Sequence, residues 1–200
     1  GSIHASTTTP APMTIPTDGP RSAWARIDLA ALQHNLQVAR QHAPASRLWA
    51  VLKANAYGHG VLPVAAAIAT QADGFAVARV SEALALRAAG YRLPLLVLGG
   101  FHDSAELQSA CDQQLQLVIH STAQLQQLQH SGLRPRCWLK VDSGMHRLGF
   151  APTDVASVHR QLQQLSGDEV GLISHFACAD DPADAATAQQ LACFATATSG

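Results

Sequence analysis

The chain has 200 residues, 48% of them hydrophobic, and its 13 basic and 14 acidic side chains leave a formal net charge of −1. That is enough apolar material for a sizeable core, and without a block of Lys or Arg it argues against nucleic acid or an anionic membrane as a main partner. No stretch reaches the roughly 20 apolar residues of a membrane span, the first twenty residues lack a signal-peptide pattern, and Cys111, Cys137, Cys178 and Cys193 show no CxxC spacing, which points to reduced thiols and a cytoplasmic protein.

Residues 1–21 are rich in Thr, Pro and Ser without periodicity, which predicts a disordered tail ahead of a domain over 22–200. SAWARIDL (22–29) then reads as a first strand, and LAALQHNLQVARQHA as a helix with Leu29, Leu32, Leu36 and Val38 largely on one side. Six short apolar runs come next, RLWAVLKA, GFAVA, LPLLVLG, LQLVIH, RCWLKVD and EVGLISHFA, of the kind that suits parallel strands covered on both faces. Between and after them lie helical patterns beginning at Val61, Val80, His102, Ser121, Pro152 and Asp184, with Ser121 as an N-cap and Gly90 and Gly132 just past helix ends. About six β/α units in series indicate an α/β fold with a parallel sheet, either doubly wound or a (β/α)8 TIM-type barrel. A complete barrel takes about 250 residues and eight units, so the barrel reading is of an incomplete one.

In a parallel α/β fold, ligands gather beyond the carboxyl ends of the strands. Lys53 closes the first of the six runs, Lys140 and Asp142 the fifth, and His175 the sixth. A lone strand-end lysine ordinarily lays its stem on apolar surface and reaches water. The residues after Lys53 change that reading: Gly58 and Gly60 allow close backbone approach to a phosphate, Tyr57 offers a phenolic donor, and a helix begins at Val61. Partial burial would also lower the amine's pKa toward the free base that forms a Schiff base. In LKVDSGMHRLGF, Arg147 suits a carboxylate or phosphate, although Asp142 and Arg147 could equally form a structural ion pair. His175, in SHFACADD, fits an orienting role or a satisfied core position, and Asp180 and Asp181 read as caps of the next helix. Ten histidines show no HExxH or paired CxxC arrangement, so no metal site is read, and no Walker or GxGxxG phosphate loop is present.

AVLKANAYGHG resembles the pyridoxal-phosphate attachment motif of the alanine racemases, and WLKVDSGMHRLGF and SHFACADD resemble two further motifs of that family in the same order. The resemblance runs from about Ala23 to the end of the chain. It implies a (β/α)8 barrel followed by a mostly β C-terminal domain, in a homodimer that interconverts L- and D-alanine for the peptidoglycan of the cell wall. It implies pyridoxal 5'-phosphate held as a Schiff base on Lys53, with Lys53 also a catalytic base at the α-carbon. Tyr57 would bond the cofactor's phosphate, and Arg147 its phenolic oxygen and the substrate carboxylate. Lys140 matches a lysine often carbamylated, and His175 would bond the arginine that faces the pyridine nitrogen. The Asn-Ser phosphate contact, that arginine and the second catalytic base, a tyrosine of the C-terminal domain, have no counterparts in these residues. Tyr91, in a helix-to-strand turn, is a poor substitute. The expectation is therefore a truncated N-terminal barrel segment, inactive alone, whose first strand would pair with the C-terminal domain. The competing readings are a non-catalytic pyridoxal-phosphate-binding barrel and a remnant with neither cofactor nor activity.

Overall fold

A computed structural model of the chain describes residues 25–199. The expected tail over 1–21 lies outside the described residues, as do residues 22–24 of the expected first strand. Of its remaining residues, 25–28 have no sheet partner among the described residues, as expected of a strand that would pair with the C-terminal domain, while Leu29 already belongs to a helix capped by Asp28. Its carboxylate accepts from the amides of Ala30 (2.9 Å) and Ala31 (3.1 Å), two of the donors a helix start leaves open.

That helix is α1 (Leu29–His42), and after it come six strands: β1 (Trp49–Val51), β2 (Gly74–Val77), β3 (Leu95–Val97), β4 (Gln116–Ile119), β5 (Arg136–Lys140) and β6 (Gly171–Ile173). Each falls inside one of the six apolar runs. Between β1 and β2 come a short segment, α2 (Lys53–Tyr57), and α3 (Val61–Ile68). The later crossovers are α4 (Val80–Ala88), α5 (Ser104–Asp112), α6 (Thr122–Ser131) and α7 (Val155–Leu165), with α8 (Ala186–Ala197) after β6. Ser121 caps α6 through the Gln124 amide, and Gly132 ends it in the left-handed conformation, as the sequence predicts.

All strands are parallel and stand in chain order, β1-β2-β3-β4-β5-β6. Alternate strand residues show where the helices lie. Phe75, Val77, Leu95, Val97, Leu117, Ile119, Cys137 and Leu139 belong to one large buried cluster with the inner faces of α3 to α7. Ala76, Leu96 and Val118, the residues between them, form a small second cluster with Trp49, Leu98, Trp138 and Ile173. Right-handed crossovers that always step to the next strand place every helix on the same face, so the sheet is singly wound and is the wall of a barrel. This decides between the doubly wound and barrel readings.

The inner cluster is filled by two tryptophans, Trp49 at the start of β1 and Trp138 in the middle of β5. Trp49 and Trp138 meet edge to face with centroids 6.3 Å apart, and the Trp138 indole N–H donates to the buried Gln116 Oε1 at 2.7 Å. Gly74 makes room for one of them, since a Cβ there would lie 2.7 Å from the Trp49 ring. The inner end opposite the carboxyl rim is thus filled.

Among the described residues, β1 and β6 each have one side without a strand partner. Val51, on the β1 edge, is 40% exposed. Unpaired edges recruit other strands, so these 200 residues expressed by themselves are expected to self-associate. Sedimentation velocity checks this; a monomer with cooperative unfolding would contradict it.

Candidate active site at the carboxyl rim

The chain leaves β1 at Lys53 and enters a turn whose first four left-handed residues are not glycines. Ala54, Asn55, Ala56 and Tyr57 have φ of +53°, +56°, +53° and +54°, and Gly58 continues the run at +83°. Left-handed backbone costs roughly 1–2 kcal/mol for each ordinary residue, so the surroundings must hold it. Inside the turn, the Ala56 amide donates to the Leu52 carbonyl (2.9 Å) and the Gly58 amide to that of Ala54 (3.0 Å). Asn55 Oδ1 accepts the Val61 amide at 2.8 Å, joining the turn to the start of α3. From outside, Glu82 Oε1 accepts the Ala54 amide at 2.6 Å. The turn brings the Lys53 ammonium to 5.8 Å from the centre of the Tyr57 ring.

Beyond β5 the chain makes a closed excursion. The Phe150 amide donates to the Lys140 carbonyl and the Asp142 amide to that of Phe150, both at 2.9 Å, so the loop leaves and rejoins the strand at one place. Asp142 Oδ1 accepts the amides of Gly144 (3.1 Å) and His146 (2.9 Å), and Arg147 is carried on the loop. Asp142 meets His146 at 3.4 Å, and among the described residues Arg147 has no carboxylate within ion-pair range. The structural ion pair between Asp142 and Arg147 is therefore not formed. Beyond β6, Ser174 bonds Ser143 Oγ (2.7 Å) and donates to the Val141 carbonyl (2.9 Å), locking the two loops together. Gln190 of α8, 3% exposed, accepts the Ala177 amide at 2.9 Å and donates to the His175 carbonyl at 3.0 Å. The expected capping role of Asp180 and Asp181 is corrected: Asp181 accepts the Ala183 amide within the loop, while Asp184 accepts that of Ala186 at the start of α8.

These loops enclose a cavity of about 240 Å³ lined by Lys53, Lys140, Arg147 and His175 over a floor that includes Val118 and Ile173 of the inner cluster. Both lysines of the chain are here, and no carboxylate is among the lining residues. Tyr57 is not in the lining; it stands beside Lys53 with its ring 60% exposed. Tyr91 is elsewhere: its ring packs on Phe75 and its hydroxyl reaches only the Leu62 carbonyl, at 3.5 Å. No three His, Cys, Asp or Glu side chains of the described residues come together as a metal would require, and no described helix is long and apolar enough to cross a membrane.

The crowding of cations registers in the titrating groups. Burial pushes the Lys140 ammonium below its ordinary value; Asp142 opposes this and Arg147 adds to it. His175 keeps an exposed edge, yet burial first, then the charges of Arg147, Lys140 and Lys53, hold its imidazole below 6.5. Burial pushes the Asp142 carboxyl up, but the amides of His146 and Gly144 and the His146 charge outweigh it, and the group sits below its ordinary value. Since a nearby cation disfavours the protonated ring, Arg147→Ala should raise the His175 titration point while leaving it short of 6.5, because the burial remains. Proton NMR of the ring checks this, and an unchanged titration would contradict it.

A cavity with two amines, a guanidinium and an imidazole but no acid is suited to anions, and its partly buried amines are suited to condensing with a carbonyl. Fold and cavity together define a TIM-type barrel domain with an amine-bearing anion site at its carboxyl rim. Residues 27–200 match the family described as alanine racemase, N-terminal domain, and the chain belongs to that family. It is 51% identical over 184 residues to an alanine racemase of Thioalkalivibrio sulfidiphilus, an alignment covering 89% of this chain and 51% of that protein. Among solved structures it is similar to the biosynthetic alanine racemase of Pseudomonas aeruginosa (TM-score 0.80, 42% identity, 84% of this chain and 48% of that one). It is also similar to a histidine racemase of Leuconostoc mesenteroides (TM-score 0.75, 31% identity, 86% of this chain and 48% of that one). The chain spans about half the length of the relatives it matches. The family resemblance carried by AVLKANAYGHG and the two later motifs is thus borne out.

Two contributors have no motif of their own. Glu82 shows in the sequence only as an acid early in a helix, and Gln190 only as one of two adjacent glutamines in α8.

Proposed function

We propose that the chain is the N-terminal barrel segment of a cytoplasmic, homodimeric alanine racemase, with pyridoxal 5'-phosphate on Lys53, that interconverts L- and D-alanine for peptidoglycan synthesis. The observation that carries the reading is the cavity that gathers Lys53, Lys140, Arg147 and His175 without a carboxylate. Pyridoxal phosphate and an amino acid present the matching groups: an aldehyde, a phosphate, a phenolic oxygen and a carboxylate. The residues fit the cofactor in chemistry. Lys53 would hold its aldehyde carbon, Tyr57 its phosphate, and Arg147 its phenolic oxygen. When bound, the cofactor stabilises negative charge at the substrate's α-carbon.

The rest falls to side chains of the protein. Lys53, with its amine at the rim, accepts and returns the α-proton on one face. Arg147, lacking an acid of its own, takes the substrate carboxylate. Lys140 lies beside it, and a carbamate formed on this amine, whose ammonium form burial disfavours, would supply the charge that orients Arg147. Burial, and then the charges of Arg147, Lys140 and Lys53, disfavour the protonated form of His175. The base for the opposite face is not Tyr91, which is packed against Phe75; in this reading it is a tyrosine of a C-terminal domain on the partner subunit. A non-catalytic cofactor-binding barrel is the weaker reading, because it leaves the charge of Arg147 in the cavity without a use.

The test is exchange of the substrate α-proton in deuterated water by the full-length protein that carries this chain, with alanine, serine and histidine offered in parallel. Arg147 reads only the carboxylate that all three share, so the comparison ranks side chains. Exchange fastest with alanine supports the reading, and exchange with none of them would overturn it.

A further inference from the structure

The side chains at the third position of the helices after β2, β3 and β4 do related work. In α5, Glu106 Oε2 accepts the His102 amide at 2.9 Å, a bond within its own loop that satisfies a donor at the helix start. In α6, Gln124 does the same for His120 with its oxygen (3.0 Å), and its amide nitrogen reaches the carbonyls of Gly99 (2.9 Å) and Phe101 (3.1 Å) in the neighbouring loop. Glu82 of α4 divides its two oxygens. Oε2 serves its own loop, accepting the amides of Ala78 (2.7 Å) and Arg79 (3.0 Å). Oε1 crosses to the loop after β1 and accepts the amide of Ala54, at 2.6 Å.

That peptide is the one directly after Lys53, and it opens the left-handed run from Ala54 to Tyr57. The direction of the Lys53 side chain and the place of the Tyr57 ring both depend on this run. Its internal bonds start from Ala56 and Gly58, so the Ala54 amide depends on Glu82. Serving both loops takes two acceptor oxygens, which a carboxylate has and an amide does not. With glutamine at 82, one of the two loops would face an NH2 group, donor against donor, and the crossing bond is the one without local chain connectivity to keep it.

We infer that Glu82 is a positioning residue for Lys53: through the Ala54 peptide it fixes the left-handed turn that aims the Lys53 amine into the site and sets the Tyr57 ring beside it. The inference rests on the reading of Lys53 as the cofactor's amine. It makes the wall between the first two β/α units part of the site, although Glu82 is absent from the cavity lining.

The two lysines of the chain provide an internal control, since both line the one cavity and only Lys53 is on the turn. Pyridoxal phosphate is added to the wild-type protein and to Glu82→Gln, the adducts are reduced with borohydride, and the label at Lys53 and Lys140 is compared by peptide mapping. The wild type should carry its label on Lys53, and in the variant the ratio of Lys53 to Lys140 should fall by about tenfold, the effect of losing one charge-assisted hydrogen bond. General destabilisation would lower both labels together and leave the ratio. A second measurement needs no variant: in the wild type the Ala54 amide should exchange with deuterium as slowly as the sheet amide of Leu52. An unchanged ratio, or an Ala54 amide that exchanges at the rate of open chain, overturns the inference while the cofactor reading stands. Absence of label at Lys53 in the wild type overturns the cofactor reading and the inference with it.

Discussion

Replacing Lys53 with alanine is expected to remove the covalent cofactor adduct and to lower racemisation by the full-length enzyme by about 10³-fold or more, the scale set by losing a positioned base together with the attachment point. That factor corresponds to about 4 kcal/mol at the transition state. The fold should survive. Lys53 is partly exposed and its ammonium has one contact of note, the Tyr57 ring at 5.8 Å. Lys53→Arg separates charge from amine chemistry: it keeps the cation at the rim, yet a guanidinium does not condense with an aldehyde under these conditions. Both variants should therefore be equally inactive, with thermal midpoints near the wild type. Steady-state racemisation and a thermal melt check this. If Lys53→Arg kept most of the activity, the residue would be acting as a charge alone.

The largest stability effect is expected at the other end of the barrel. Phe75 is fully buried on the helix-facing side of β2, where its ring meets Tyr91 edge to face with centroids 5.8 Å apart. Phe75→Ala should cost about 3–5 kcal/mol, combining lost transfer energy with the cavity left behind. In a domain of this size each kcal/mol lowers the thermal midpoint by about 2–4 °C. Tyr57→Ala is the contrast, since its ring is 60% exposed and leaves no cavity when removed. It should change the melting temperature little while weakening retention of pyridoxal phosphate. Differential scanning calorimetry of both variants reads the two effects, and a Tyr57→Ala loss as large as that of Phe75→Ala would place Tyr57 in the core instead of the site.

How much of this was legible in the chain depended on the range of the forces involved. Strands and helices were readable because their signals are local: apolar runs such as LPLLVLG, a Ser121 cap and a Gly132 stop act within a few residues. The rim positions of Lys53, Lys140 and His175 came from the strand-end rule, and the motifs supplied their chemistry. The side on which the crossovers fall is a property of the whole sheet, so single winding became visible only from the sorting of Phe75 and Val77 to one cluster and Ala76 to the other. The left-handed turn had little sequence signal, because of its first four residues only Asn55 readily takes positive φ, and the amide that opens the run is met by Glu82, 28 residues after Ala54. The strand expected over 22–29 is shortened at its end for a local reason: Asp28 caps a helix that begins at Leu29. The freedom of Arg147 from Asp142 was likewise unreadable, since it depends on backbone amides in the loop taking up the Asp142 carboxylate.

Everything proposed for the site turns on Lys53 as the amine that holds the cofactor. Adding pyridoxal phosphate to the wild-type chain, reducing with borohydride and mapping the modified peptide by mass spectrometry addresses that assignment without an intermediate step. One predominant adduct is expected, in the peptide containing AVLKANAYGHG and on Lys53. An adduct mainly on Lys140, or none on either lysine, would refute the assignment.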